Sequence, residues 1–187
     1  KAVPMGQSFR KGAFWLFLAV MVCAGASELA MSQWASLFAE DGLKVSKTLG
    51  DLLGPCAFAV LMGLSRVFFG IMGSKIDLRR FILGSGVLCV FSYLLAVFAR
   101  HPVVALSGCA LCGLSVGIMW PGTFSLASRR FPRGGGAMFA LLALAGDVGC
   151  TSGPALCGLV AGSGGGVKSG LLAACVFPAV LCGCVLF

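Results

Sequence analysis

Six apolar runs, each close to or above the roughly 20 residues that a helix needs to cross hydrocarbon, follow one another in this chain with only short charged clusters between them. Their spacing constrains the fold more than any single motif does. It predicts spans over Phe14–Ala39, Leu52–Met72, Phe81–Ala99, Val103–Ser128, Ala137–Gly162 and Ser169–Phe187. The corresponding fold class is all-α: a polytopic membrane bundle of six transmembrane helices. Composition excludes the soluble alternative, because 59% of residues are hydrophobic and 11% charged, against about 25% charged in soluble domains. The 28 glycines fit the same class, since small residues let helices approach closely in lipid.

The loops set the orientation. Lys1, Arg10, Lys11, Lys75, Arg79, Arg80, Arg129, Arg130 and Arg133 fall on one side, and only Lys44, Lys47, Arg100 and Lys168 on the other. Cytoplasmic loops retain positive charge, so both ends are expected in the cytoplasm of a multi-pass protein of the cell (plasma) membrane. The chain starts at a lysine and stops inside an apolar run, which reads as a fragment cut at both ends. Three spans followed by three spans would give two inverted three-helix repeats.

Several function classes lose support here. The net charge of +8 is spread over loops rather than forming a basic stripe interleaved with aromatics, so no nucleic-acid partner is expected. The ten cysteines all lie within apolar runs and read as small packing residues. Cys109 and Cys112 have redox or zinc spacing but lack a neighbouring histidine or a second pair, so neither metal nor cofactor is expected. The first apolar run is too long for a signal peptide.

Glu28, Arg66 and Asp147 are ionisable residues within predicted spans, a costly placement that marks candidate functional sites. Glu28 lies about 14 residues into its span, roughly 21 Å from the cytoplasmic edge, near or just beyond the midplane. Ser32, Gln33 and Trp34 continue a polar stripe about one turn further on, a face expected to line a cavity. A carboxyl there suits proton coupling, or binding of a cationic or hydroxyl-bearing substrate; a structural tie between helices is the other reading. Arg66 is expected to snorkel toward the cytoplasmic interface or to pair with an acid on an absent helix. Asp147, flanked by Gly146 and Gly149, suits either helix contact or gating. Gly113 and Gly117 (with Cys109), and Gly146, Gly149 and Gly153, recur at helical spacing and predict close packing. Pro121, Pro154 and Pro178 each predict a kink.

The run from Gly70 through Lys75 and Asp77 to Arg79 and Arg80 resembles the cytoplasmic-loop motif that major facilitator transporters carry between spans two and three and, more loosely, between eight and nine. Gly70, Lys75, Arg79 and Arg80 match that pattern; Ser74 stands where its acid is expected and Asp77 where its glycine is expected. Arg66 looks like the arginine that often precedes the motif. Gly146 to Gly149 followed by Gly153-Pro154 looks like the glycine-rich eleventh span, and Gly25 to Trp34 is similar to the seventh span of sugar-permease-like members. The resemblance implies that these spans are the seventh to twelfth of such a transporter, with the N-terminal six-helix half as a missing partner alongside a small-molecule substrate and the lipid bilayer. It implies secondary active transport by alternating access, with Glu28, Gln33, Trp34 and Asp147 at substrate or proton, and Arg66, Gly70, Lys75, Asp77, Arg79 and Arg80 in gating.

An intramembrane aspartyl protease would need two facing aspartates, and only Asp147 lies in a span; the single histidine, His101, lies in a loop. No enzyme activity is therefore expected. A channel would show a repeated filter or a polar ring, which this sequence does not display.

Overall fold

The computed structural model describes residues 12–186. Lys1, Arg10 and Lys11, assigned above to the cytoplasmic side, and Phe187, the expected end of the last span, lie outside them. The described residues are helical and contain no strand. Helix α1 (Gly12–Leu37) continues into a wide π-type turn at Phe38–Gly42. Short α2 (Lys47–Asp51), a second such turn at Leu52–Cys56 around Pro55, and α3 (Ala57–Met72) form the next apolar stretch. Then come α4 (Leu78–Phe98), α5 (Pro102–Val116), α6 (Met119–Arg130), α7 (Gly135–Val160), α8 (Gly166–Ala174) and α9 (Val176–Leu186).

Five of these helical stretches are long and apolar enough to cross a membrane: Gly12–Gly42, Lys47–Met72, Leu78–Phe98, Pro102–Arg130 and Gly135–Leu186. Four match the first four predicted spans within a few residues. The fifth and sixth, expected as separate helices, form one stretch of 52 residues. A straight helix of that length would measure about 78 Å, more than twice the roughly 30 Å of hydrocarbon. It is not straight. Gly164 and Gly166 have φ of +100° and +70°, left-handed values that glycine adopts without a Cβ clash. Beyond them the chain returns, and α8 packs on α7 with Gly170 against the Cys157 carbonyl.

Proline explains two of the other breaks. Pro121 and Pro178 each stand at the third position of a helix, α6 and α9, just after an interruption at Gly117–Ile118 and at Cys175. A proline there removes only a hydrogen bond that the first turn already lacks. Pro154 does not interrupt α7, so the kink expected there is not a break.

The core has two parts. The larger gathers Met31, Phe38, Tyr93, Met119 and Leu171; the smaller joins Phe14, Met21, Phe131 and Leu142. Between helices the contacts are backbone-close. The seam between α1 and α7 is the most extensive, and Gly149 and Gly153 face Val22 and Ala26 there, while Gly113 and Gly117 face Phe58, Met62 and Ser65 of α3. Lipid offers no hydrophobic drive for helices to associate, so this close van der Waals fit supplies the attraction. At the other end of α1, Ser36 Oγ donates to Asp51 at 2.5 Å and Lys47 pairs with Glu40 at 3.8 Å, tying the first stretch to the second.

Candidate functional site

Two of the three charged groups expected inside the spans, Glu28 and Arg66, meet in one cleft. Glu28 is carried by α1 where that helix is held from behind: Ser27 Oγ donates to the Cys23 carbonyl at 2.7 Å, and the buried Tyr93 hydroxyl of α4 donates to the Ser27 carbonyl at 2.8 Å. The Glu28 side chain, 15% exposed, forms an ion pair with Arg66 of α3, with Oε1 and Nη2 3.5 Å apart; the arginine side chain is 48% exposed. The pair opens into a cleft of about 380 Å³ lined also by Trp120, Pro121 and Phe124. Trp120 is placed by the break before α6, and its ring lies against Gly146 of α7, where any Cβ would meet the indole. Its Nε1 is buried and has no hydrogen-bond partner among the described residues.

Two further cavities lie elsewhere. One of about 310 Å³ includes Arg79 and Arg130, and one of about 500 Å³ includes Arg80; neither is lined by a carboxylate. The cleft at Glu28 is therefore the better candidate, because it holds both an acid and a base within the spans.

The cleft assembles some of the expected residues and leaves out others. Arg66, expected to snorkel or to pair with an acid on an absent helix, pairs in this structure with Glu28 of the same chain. Gln33, Trp34 and Asp147 do not line the cleft. At about 100° per residue, Gln33 and Trp34 lie roughly 140° and 240° around α1 from Glu28. Gln33 is accordingly exposed, and Trp34 packs into the bundle beside Gly158. Asp147 follows Gly146, which faces Trp120, so its own side chain turns outward and is exposed. Pro154 follows Gly153 at the seam with Ala26.

The loop residues do local work in this structure. Asp77 caps α4, accepting from the backbone N–H groups of Arg79 and Arg80 at 3.1 and 3.3 Å, and pairs with the Arg80 side chain at 3.2 Å. Arg79 donates from Nε to the Val185 carbonyl at 2.8 Å and from Nη2 to that of Leu186 at 2.5 Å, capping α9. Gly70 and Lys75 are exposed. Asp77→Ala should cost about 1 kcal/mol through loss of the cap, seen as a lower melting temperature, whereas Asp77→Asn should melt within error of the parent; equal stability of all three would remove the capping role.

The Major Facilitator Superfamily profile matches residues 1–154. The chain belongs to the Major Facilitator Superfamily. Membership, with five apolar spanning helices, makes it an integral multi-pass membrane protein and implies a transporter of small solutes rather than an enzyme. No curated protein matches it. In this major facilitator chain, sequence reading passed over Trp120 and Tyr93. Both carried a signal: a tryptophan remote from the interfacial belts and the sole tyrosine, buried mid-span, each need a partner for a polar tip.

Proposed function

We propose that this chain is the C-terminal six-helix half of a secondary active transporter, moving a small solute across the cell membrane by alternating access with proton coupling at Glu28. The observation that carries the reading is the Glu28–Arg66 pair in a cleft between apolar helices, since intramembrane charges that face a cavity mark substrate and proton pathways. The left-handed glycines at 164 and 166 bend the last apolar stretch back on itself, which supports reading it as a fifth and a sixth span and the whole as two inverted three-helix repeats. The partners are the N-terminal half, the bilayer and the solute, with no nucleic acid.

Both ends lie in the cytoplasm on this reading. Cysteines introduced at Lys44 or Lys168 in a cysteine-free background should react with an impermeant maleimide added outside, and cysteines at Arg79 or Arg133 should not; the reverse pattern overturns the orientation. The function is tested with the full-length protein in proteoliposomes containing a pH-sensitive dye, under an imposed proton gradient, against single radiolabelled carboxylates, amines and polyols. Saturable accumulation that collapses with a protonophore is the expected result. A non-saturating ion current would replace the carrier by a channel.

A further inference from the structure

The α4–α5 hairpin brings two thiols into contact inside the bundle. The two helices are joined by the short connection Ala99–His101, so residues equally far from that connection come level with each other. Cys89 stands nine residues before Phe98, the end of α4, and Cys112 ten residues after Pro102, the start of α5. At about 1.5 Å per residue both lie roughly 14–15 Å from the connection, near half the hydrocarbon thickness. One turn nearer the connection the helices touch backbone to backbone: a Cβ on Gly108 would meet the Ala96 amide nitrogen at 2.7 Å and the Ser92 carbonyl oxygen at 2.8 Å. Beside that crossing, Cys89 Sγ and Cys112 Sγ are 3.8 Å apart. Cys112 thus meets Cys89 of the neighbouring helix, although its redox-like spacing in the sequence is with Cys109. Both residues of the pair are 0% exposed. They are enclosed by this chain, so a docked N-terminal half has nothing to cover there. Neither lines the Glu28 cleft.

We propose that Cys89 and Cys112 are a modification site, at which a small uncharged peroxide oxidises the pair to a disulfide that staples α4 to α5. One thiol attacks the peroxide, giving a sulfenic acid and water; the second thiol displaces the sulfenic hydroxyl as water. Two thiols and one hydrogen peroxide become one disulfide and two waters, with sulfur oxidised and peroxide oxygen reduced. The geometry selects this product over an adduct. A disulfide adds no atoms to the interior and requires the sulfurs to close by roughly 1.7 Å, from 3.8 Å to about 2.05 Å. A glutathionyl or alkyl group would need volume that a close-packed core does not have. Enclosure makes the oxidation slow, and it also keeps reductants from the bond once formed, since exchange depends on access. The staple would tie α4, whose Tyr93 one turn beyond Cys89 holds the Ser27 carbonyl of α1, to the helix that leads into the break at Gly117–Ile118.

The test uses the full-length protein in membranes, with a protease site inserted in the Ala99–His101 connection. After hydrogen peroxide, proteolysis and denaturing electrophoresis without reductant, the two pieces should migrate together, and dithiothreitol added after denaturation should part them. Cys89→Ala and Cys112→Ala should each give separate pieces, while Cys109→Ala should stay joined. Dithiothreitol applied to intact membranes should leave the link in place. Uncut protein should melt about 5 °C or more higher after peroxide than before, and Cys89→Ala should show no such shift. Should a cysteine variant fail to fold, a cross-linked peptide pair containing Cys89 and Cys112, two hydrogens lighter than the separate peptides, decides the matter in otherwise unaltered protein. Separate pieces from folded, peroxide-treated protein, a link that persists in Cys89→Ala, or release by dithiothreitol in intact membranes would each overturn the proposal.

Discussion

Replacing Glu28 by glutamine is expected to abolish uphill accumulation while leaving exchange of solute down its own gradient. A pH difference of one unit is worth about 1.4 kcal/mol per proton and supports about tenfold accumulation in a one-to-one symporter; with glutamine the ratio should fall to about one. Glutamine keeps the shape and hydrogen bonding of the residue but cannot titrate, and Arg66, half-exposed in the cleft, does not become a deeply buried orphan charge. The fold should therefore survive. If Glu28 serves only as a tie between α1 and α3, Glu28→Gln will accumulate solute with an unaltered pH profile, and Glu28→Ala will instead lower thermal stability. Full accumulation by Glu28→Gln in proteoliposomes would remove the coupling role.

Gly149→Val should have the largest effect on folding. A Cβ at Gly149 would stand 2.8 Å from the carbonyl carbon of Val22 and 2.9 Å from the amide nitrogen of Ala26. Those atoms belong to a neighbouring helix backbone and cannot rotate away, so α1 and α7 must separate along their most extensive seam. Overpacking of this kind costs about 1–3 kcal/mol or more, and the side-chain methyls of valine add to it. The expected readout is loss of the monodisperse peak in detergent and a strongly lowered melting temperature. Gly84→Ala is the control, because a Cβ there meets nothing within 4 Å, and it should behave like the parent. A Gly149→Val protein with parental yield and melting temperature would show that the seam is loose.

The spans were legible because bilayer thickness fixes the length of an apolar run independently of its neighbours, and the first four predicted runs coincide with α1 to α6 within a few residues. The glycine spacing was legible for the same kind of reason: Gly113 and Gly117, and Gly146, Gly149 and Gly153, keep to one helix face. What could not be read were pairings between distant parts of the chain. Nothing local to Arg66 announces Glu28 as its partner, and Trp34 and Trp120 look alike in sequence, yet packing turns the first into the bundle and the second over the cleft. Asp77 looked like a departure from a loop motif and is a helix cap, a role set by its extended backbone. The glycine cluster from 162 to 166 marks a turn, but residues up to 163 keep helical dihedrals, so helix continuity extends further than composition suggests.

The Glu28–Arg66 pair also bears on how the protein enters the bilayer. An arginine within a spanning helix is costly to insert, and α3 presents Val60, Leu64, Val67 and Phe68 outward with little burial of its own. Synthesis runs from the N-terminus, so α1 and its carboxylate are made before α3 emerges. The acid is then already in place when the arginine arrives, and the second stretch can enter lipid as half of a neutral hairpin with the first. Charge neutralisation during assembly thus follows the order of the sequence, with the ties at Ser36–Asp51 and Glu40–Lys47 closing the same hairpin at its loop.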